Sequence, residues 1–165
     1  MAISKAKKNE IIAKLGDIFA KAKSVAFVKF GKLSVAQANE LRRALKEKGV
    51  GYYVAKKTLI RRVLGAKTVA GELPELNGEI ALAYLSGSED TLAPSREVAA
   101  FTKKFEKAVE LIGGIFDGAF IGRDKTLVLA AIPPRETLLA QFVNLINSPI
   151  QRFVVGLNEV AKIKK

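Results

Sequence analysis

The sequence predicts an α+β fold: a ferredoxin-like split βαβ globular domain with an extra N-terminal helix, followed by a projecting C-terminal amphipathic helix. Three observations support this prediction. The strand and helix signals follow the order β-α-β twice, once the first helix and a small inserted helix are set aside. Two prolines at positions 133 and 134 end the strand-containing part, and only helical signals follow them. Of the 165 residues, 49% are hydrophobic, which is enough for a folded core.

The elements of the first fifty residues are bounded by clear start and stop signals. Ser4 is placed to cap a helix that extends to about residue 22, and an apolar strand follows at 25–30. Ser34 and Gln37 form a capping-box pattern that starts a second helix, and Gly49 ends it in the left-handed conformation that glycine tolerates. The residues that we expect on the inward face of this second helix are Val35, Ala38, Leu41 and Leu45.

The following elements continue the alternation of strands and helices. They are predicted as strand 52–55, helix 58–64, strand 79–85, helix 94–107, strand 109–116, a short return strand 119–121 and helix 124–131. We expect one sheet with the helices on one side. The alternative is a parallel three-layer α/β sheet, for which the helices are few and short. The predicted domains are 1–132, the α+β domain, and 133–165, the C-terminal helix.

Positive charge is confined to the start of the chain. Residues 1–65 carry 16 lysines and arginines against 4 aspartates and glutamates, whereas residues 66–165 carry 12 of each. The whole net charge of +12 therefore lies in the first two-fifths of the sequence. A charge that served only solubility would have no reason to be so uneven, so we expect a polyanionic partner. Nucleic acid is the first candidate and an anionic membrane surface the second.

The stretch from Gly51 to Leu64 gathers these charges at one strand-to-helix junction. Lys56, Lys57, Arg61 and Arg62 all fall there, and the N-terminus of a helix favours an anion through its free N–H groups and its dipole. The alternative interpretation is a solvated basic turn. Two tyrosines precede the junction at positions 52 and 53. Because strand residues alternate between faces, we expect one of them, and not both, to be exposed for stacking on a base.

Several classes of function are excluded by what the sequence lacks. The chain contains no cysteine and no histidine, so disulfides, Cys/His zinc sites, cysteine nucleophiles and Ser-His triads are impossible. It has no phosphate-binding loop, no secretory signal and no apolar run near the about 18–20 residues of a membrane span. We therefore predict a cytoplasmic protein that is not an enzyme, with no cofactor, no bound metal, no catalytic residue and no membrane partner.

The C-terminal segment carries a wide apolar stripe that few charges oppose. Pro149 divides it into two segments of similar length, and we expect this proline to interrupt or kink the helix. One interpretation is that the helix folds back on the sheet and completes the core. The other is that partner chains cover the stripe by helix-to-helix packing. The residues predicted to bind such partners are Leu138, Leu139, Phe142, Val143, Leu145, Ile146, Ile150, Phe153, Val154, Leu157 and Val160.

Two parts of the sequence resemble a known family. Residues 25–64 include Leu33-Ser34-Val35, Glu40-Leu41-Arg42-Arg43 and Lys56-Lys57-Thr58-Leu59-Ile60-Arg61-Arg62, and the tail includes Pro133-Pro134-Arg135-Glu136 and Ser148-Pro149-Ile150. These stretches resemble the bacterial ribosomal proteins that form the base of the large-subunit stalk, protein ten of that subunit by number. Lys57 stands where the family has asparagine, and Lys32 stands one place away from the family's arginine.

The resemblance implies a structural role on the ribosome. The basic domain would bind ribosomal RNA of the GTPase-associated centre beside the neighbouring stalk-base ribosomal protein. The C-terminal helix would anchor dimers of the acidic stalk protein, and the split at Pro149 suggests two dimers. Those dimers recruit translational GTPases. The alternative is a stand-alone RNA-binding or ribosome-assembly protein whose C-terminal helix packs on its own core. The residues expected to contact the RNA are Lys5, Lys7, Lys8, Lys29, Lys32, Arg42, Arg43, Lys56, Lys57, Thr58, Arg61 and Arg62.

Overall fold

A computed structural model of the chain describes residues 5–31, 33–65, 70–71, 76–85, 90–105 and 108–163. Its elements are α1 (Lys5–Lys21), β1 (Ser24–Phe30), α2 (Val35–Glu47), β2 (Val50–Ala55), α3 (Lys57–Gly65), β3 (Glu79–Leu85), α4 (Ala93–Lys104), β4 (Val109–Phe116), β5 (Ala119–Gly122), α5 (Arg123–Ala130) and α6 (Arg135–Ile163). The sequence predicts every one of these elements in this order. The predicted cap at Ser4 lies outside the described residues.

The five strands form one sheet in the order β2-β3-β1-β4-β5, and all neighbouring strands are antiparallel. The first four strands have the ferredoxin-like order, in which each βαβ unit is split by a strand of the other. The predicted α+β class is therefore confirmed, and the alternative of a parallel sheet is wrong. The return strand β5 adds to the β4 edge through a turn at Asp117 and Gly118, both of which have positive φ.

Both faces of the sheet are covered, and in this respect the prediction of helices on one side is wrong. Ala26 and Val28 of β1 belong to a core shared with α2 and α4. Val25 and Phe27 point to the opposite face, into a second core shared with α1 and α3. A strand buried on both faces reads as a continuous apolar run, and the sequence of β1 has this pattern. The N-terminal helix is therefore part of the second layer, where Leu15 is fully buried.

The two cores explain why the expectation for the tyrosines of β2 is wrong. Tyr52 packs against the α2/α4 core and Tyr53 against the α1/α3 core, so both side chains are half-buried. A third tyrosine, Tyr84 of β3, lies across Gly51. A Cβ added at that glycine would overlap the tyrosine ring. Glycine at position 51 therefore allows an aromatic ring to cover the backbone of the neighbouring strand.

Helix α2 confirms the predicted capping signals and corrects one predicted core position. The N–H of Gln37 donates to Ser34 Oγ at 3.3 Å, and the N–H of Ser34 donates to Gln37 Oε1 at 3.0 Å. Gly49 has a φ of 71°, as its position after the helix requires. Val35 does not face inward and is 79% exposed. At 100° per residue, Val35 lies about 100° around the helix from the midpoint of the buried Leu41 and Leu45.

The chain divides into two compact units, Met1–Ile132 and Pro133–Lys165. The second unit contains α6, a helix of 29 residues that runs without interruption through Pro149. At 1.5 Å per residue its length is roughly 43 Å. None of its residues is buried. The part of the chain that the structure describes contains no helix that could span a membrane.

Candidate nucleic-acid interface and partner-binding helix

The junction between β2 and α3 is as short as the sequence suggests. Lys56 is the single residue between the two elements, and its carbonyl accepts hydrogen bonds from the N–H groups of Leu59 at 2.9 Å and Ile60 at 3.2 Å. Helix α3 therefore begins directly after the strand. Lys56, Lys57 and Thr58 are all exposed at its N-terminal end, where the first N–H groups of a helix have no partner within the helix.

The amphipathic sequence of α3 fixes which side of the helix faces solvent. Its four buried side chains are Leu59, Ile60, Val63 and Leu64. Arg61 and Arg62 lie between them in sequence and are exposed. Burial of the apolar side therefore holds both guanidinium groups on the surface of the same short helix that begins at Lys57.

A groove of about 540 Å³ crosses the end of the sheet beside this junction. Three strands contribute to it, because β1 and β2 end here and β3 begins. Its lining residues are Ile11, Phe30, Val54, Ala55, Lys56, Lys57, Thr58, Gly78, Glu79 and Ile80. The surface of this strand-end groove is mainly apolar, and its polar side chains are Lys56, Lys57, Thr58 and Glu79.

A second groove, of about 370 Å³, continues around the edge of β2 toward α2. It shares Phe30, Val54 and Glu79 with the strand-end groove and adds Arg42 and Tyr52. Burial raises the pKa of the Tyr52 hydroxyl, and the nearby Arg42 guanidinium opposes this by lowering it. The two grooves therefore join a cation of α2 to the lysines at the start of α3.

The predicted RNA-binding cations differ in whether acidic side chains already neutralise them. Lys29 lies 3.5 Å from Glu110, which also binds Arg123 at 2.7 Å, and Arg43 pairs with Glu47 on its own helix at 3.5 Å. Among the described residues, no salt bridge is formed by Lys8, Arg42, Lys56, Lys57, Arg61 or Arg62. Among the predicted RNA-binding cations, those without a salt bridge thus lie mainly on α3, at its junction and in the neighbouring groove.

The remaining predicted cations lie on α1, farther along the chain from the β2–α3 junction, or outside the described side chains. Lys7 and Lys8 are exposed on α1, and Lys7 precedes Ile11 by one helical turn. Since Ile11 lines the strand-end groove, Lys7 lies on the helix face that leads to it. Lys5 belongs to α1, but its side chain is not described, and Lys32 lies outside the described residues.

Sequence reasoning missed the apolar part of this surface. Phe30, Val54 and Glu79 come from three different strands, and only the order of the sheet brings them together. Arg123 was also missed, although it completes the acidic pairing around Glu110. The sequence signal near this surface was the glycine at position 78. In the structure this residue has a φ of 85° and lies against the aliphatic chain of Lys29.

The eleven partner-binding residues predicted in α6 are all exposed, with exposed fractions between 42% and 70%. At 100° per residue, these residues cover about half of the helix circumference. The exposed Val155 and Ile163 are further apolar residues that the prediction left out. A continuous apolar surface of this kind is typical of an interaction site. Within the described residues, no group of acidic or histidine side chains could hold a metal ion.

Comparisons with known proteins agree with the resemblance. The sequence model of the family described as Ribosomal protein L10 matches residues 3–103. A protein of Shouchella clausii named "Large ribosomal subunit protein uL10" is 35% identical over 156 residues, which cover 94% of this chain and 90% of the relative. Proteins of the same name are 35% identical in Clostridium tetani, over 93% and 88% of the two chains, and 29% identical in Staphylococcus carnosus, over 96% and 93%.

Proposed function

Because this chain belongs to the ribosomal protein L10 family, we propose that it forms the base of the large-subunit stalk, with its first unit on ribosomal RNA and α6 as the anchor for stalk-protein dimers. Members of this family are structural, non-enzymatic proteins of the large ribosomal subunit. The predictions of a ribosomal protein without enzymatic activity, located on the cytoplasmic ribosome, are thereby confirmed. The RNA segment, the partner dimers and the residues that bind them make up the proposal.

The unpaired cations around the α3 junction carry the RNA part of the proposal. Phosphate binding needs exposed cations whose charge is not already cancelled, and Lys56, Lys57, Arg61 and Arg62 satisfy this within one short helix and its N-terminus. Arg42 extends the surface around the β2 edge. Cations distributed over several elements suit a folded, irregular RNA, such as the GTPase-associated centre, where the neighbouring stalk-base protein would also bind.

The exposed apolar stripe of α6 supports the second part of the proposal, which concerns the partner proteins. We propose that dimers of the acidic stalk protein cover it, one on each side of Pro149, and that these dimers recruit translational GTPases. The alternative of a stand-alone protein requires α6 to bury its stripe in its own core. Within its own unit α6 buries none of its residues, so the stripe needs a cover from outside that unit, and the stalk-protein dimers would supply one.

The RNA proposal is tested by the salt dependence of binding to a ribosomal RNA fragment of the GTPase-associated centre. The double variant Lys56→Ala/Lys57→Ala should bind at least about tenfold more weakly at low salt. Its log–log salt slope should fall by about 1.4–1.8, since each phosphate contact contributes roughly 0.7–0.9. Lys103→Ala/Lys125→Ala is the matched control, because it removes two exposed lysines from the neutral part of the chain. Equal weakening of both variants, or no binding by the unmodified protein, would contradict the proposal.

A further inference from the structure

We propose that the strand-end groove receives a single unstacked nucleobase of the bound RNA, whose adjoining phosphate lies at Lys56, Lys57 and Thr58. This inference rests on the proposed function, because it names the part of the RNA that one surface would take. It differs from general phosphate binding in a testable way. The groove would contribute affinity that does not depend on salt, and it would distinguish one base from another.

The shape and lining of the groove fit the flat, apolar faces of a base. The side chains of Ile11, Phe30 and Val54 provide apolar surface from α1 and two strands, and the buried Ile80 of a third strand lies behind them. The volume of about 540 Å³ is of the size typical of small-molecule sites. Recognition of single-stranded RNA commonly places a splayed-out base on such a surface, and contacts of this type contribute about 1–3 kcal/mol per base.

The charges on the groove favour a nucleotide over an acidic peptide. Lys56 and Lys57 attract one phosphate, and Glu79, which also lines the groove beside Lys56, repels any second anionic group. A nucleotide meets this pattern because its negative charge is confined to the phosphate and its base is neutral. An acidic peptide would bring further carboxylates toward Glu79, which forms no salt bridge among the described residues.

Glu79 also predicts which bases are preferred. An ionised carboxylate accepts hydrogen bonds and donates none, so it favours an edge that carries donors. Guanine, adenine and cytosine each present an exocyclic amino group, whereas uracil presents a single N–H between two carbonyl oxygens. We therefore expect the groove to bind amino-bearing bases more tightly than uracil, with guanine the best because it presents two adjacent donors.

The first test fills the groove without changing the charge. The variant Val54→Trp should bind the ribosomal RNA fragment about tenfold more weakly, which corresponds to about 1.4 kcal/mol, with an unchanged salt slope. The matched control is Val35→Trp, since Val35 is also an exposed valine of the basic region but lies outside the groove. If Val54→Trp binds as tightly as the control, the groove proposal is overturned even though RNA binding itself stands. If the unmodified protein does not bind the fragment, the proposed function fails first.

The second test needs no groove-filling variant and uses mononucleotides with the unmodified full-length chain. Titration with GMP should shift the methyl NMR signals of Ile11, Val54 and Ile80, and ribose 5-phosphate should leave these methyl signals in place. UMP should require a higher concentration than GMP for the same shift. In Glu79→Gln, GMP should lose its advantage over UMP. Identical shifts with ribose 5-phosphate and GMP would overturn the assignment of a base to the groove, and equal titration by GMP and UMP would overturn the role of Glu79.

Discussion

The two units of this chain handle apolar residues in opposite ways. In Met1–Ile132 the apolar side chains fill two cores on either side of a sheet, and Lys56, Lys57, Arg61 and Arg62 remain exposed. In α6 the apolar side chains are themselves exposed, and none is buried. The first unit therefore buries its apolar side chains in its own cores and exposes cations. In contrast, α6 exposes an apolar surface that its own unit does not cover.

This difference shows that the exposure of a side chain has to be judged against how much apolar surface its own unit buries. An exposed lysine on a well-packed domain costs little to keep, so its exposure alone does not indicate a binding role. An exposed stripe on a helix with no core indicates a missing partner, because most helical stability in proteins comes from packing of the apolar face. The two units are thus expected to recognise different chemistry, and mutations should separate them.

The largest expected effect is the contrast between two phenylalanines. Phe27 is fully buried between the sheet and the α1/α3 layer, so Phe27→Ala should reduce the free energy of unfolding of the first unit by about 3–5 kcal/mol. Phe142 is 61% exposed, and Phe142→Ala should change that free energy by less than about 0.5 kcal/mol. Urea unfolding followed by fluorescence of the tyrosines, all of which lie in the first unit, measures both values. Similar losses in the two variants would remove the contrast between the units.

The next effect concerns partner binding, where the order of the two phenylalanines is reversed. Buried aromatic anchors dominate helix-in-groove interfaces, so Phe142→Ala should weaken binding of the acidic stalk-protein dimer by about 2 kcal/mol or more. Binding to the RNA fragment should remain within about twofold. Native mass spectrometry of the chain with its partner reports both the weaker binding and the number of dimers that remain bound. Gln141→Ala is the control, because this exposed residue lies outside the apolar stripe.

Pro149 adds a test of whether the two halves of α6 act separately. If one dimer binds on each side, Phe142→Ala should leave a complex with one dimer, and so should Phe153→Ala, whose side chain is 68% exposed. The double variant should bind none. Complexes that lose both dimers after either single change would show that the stripe acts as one site, in conflict with the proposed count of two.

The element order was predictable because its signals are local. The capping box at Ser34, the glycine at position 49 and the alternation of apolar segments act within a few residues, and each has the predicted structure. Apart from the position of Val35 on α2, the wrong predictions concern neighbours that are distant in sequence. The exposure of Tyr52 and Tyr53 depends on which helices cover each face of the sheet, and no local pattern supplies that information.

The candidate site divides in the same way. The cations of the β2–α3 junction are close together in sequence, so their clustering was predictable, and each of them is exposed in the structure. The strand-end groove was not predictable, because Phe30, Val54 and Glu79 meet only through the pairing of β1, β2 and β3. Pairing of Lys29 with Glu110 depends on the register between β1 and β4, and charge counting could not reveal it.

The smallest effect is a pH dependence that should belong to the first unit alone. Burial raises the pKa of Tyr52 in the folded chain above its ordinary value of 10.0, against the opposing effect of Arg42. A raised pKa means that the folded state holds the proton more tightly than the unfolded state. This contribution to stability is complete below pH 10 and is lost as the pH rises through the folded pKa. Tyr52→Phe should therefore lose less stability than the unmodified chain between pH 9 and 11, and Arg42→Ala should move the ultraviolet titration of Tyr52 to higher pH. A titration that moves to lower pH in Arg42→Ala would contradict the assigned role of the guanidinium, whereas α6, which contains no tyrosine, should keep its partner affinity in both variants.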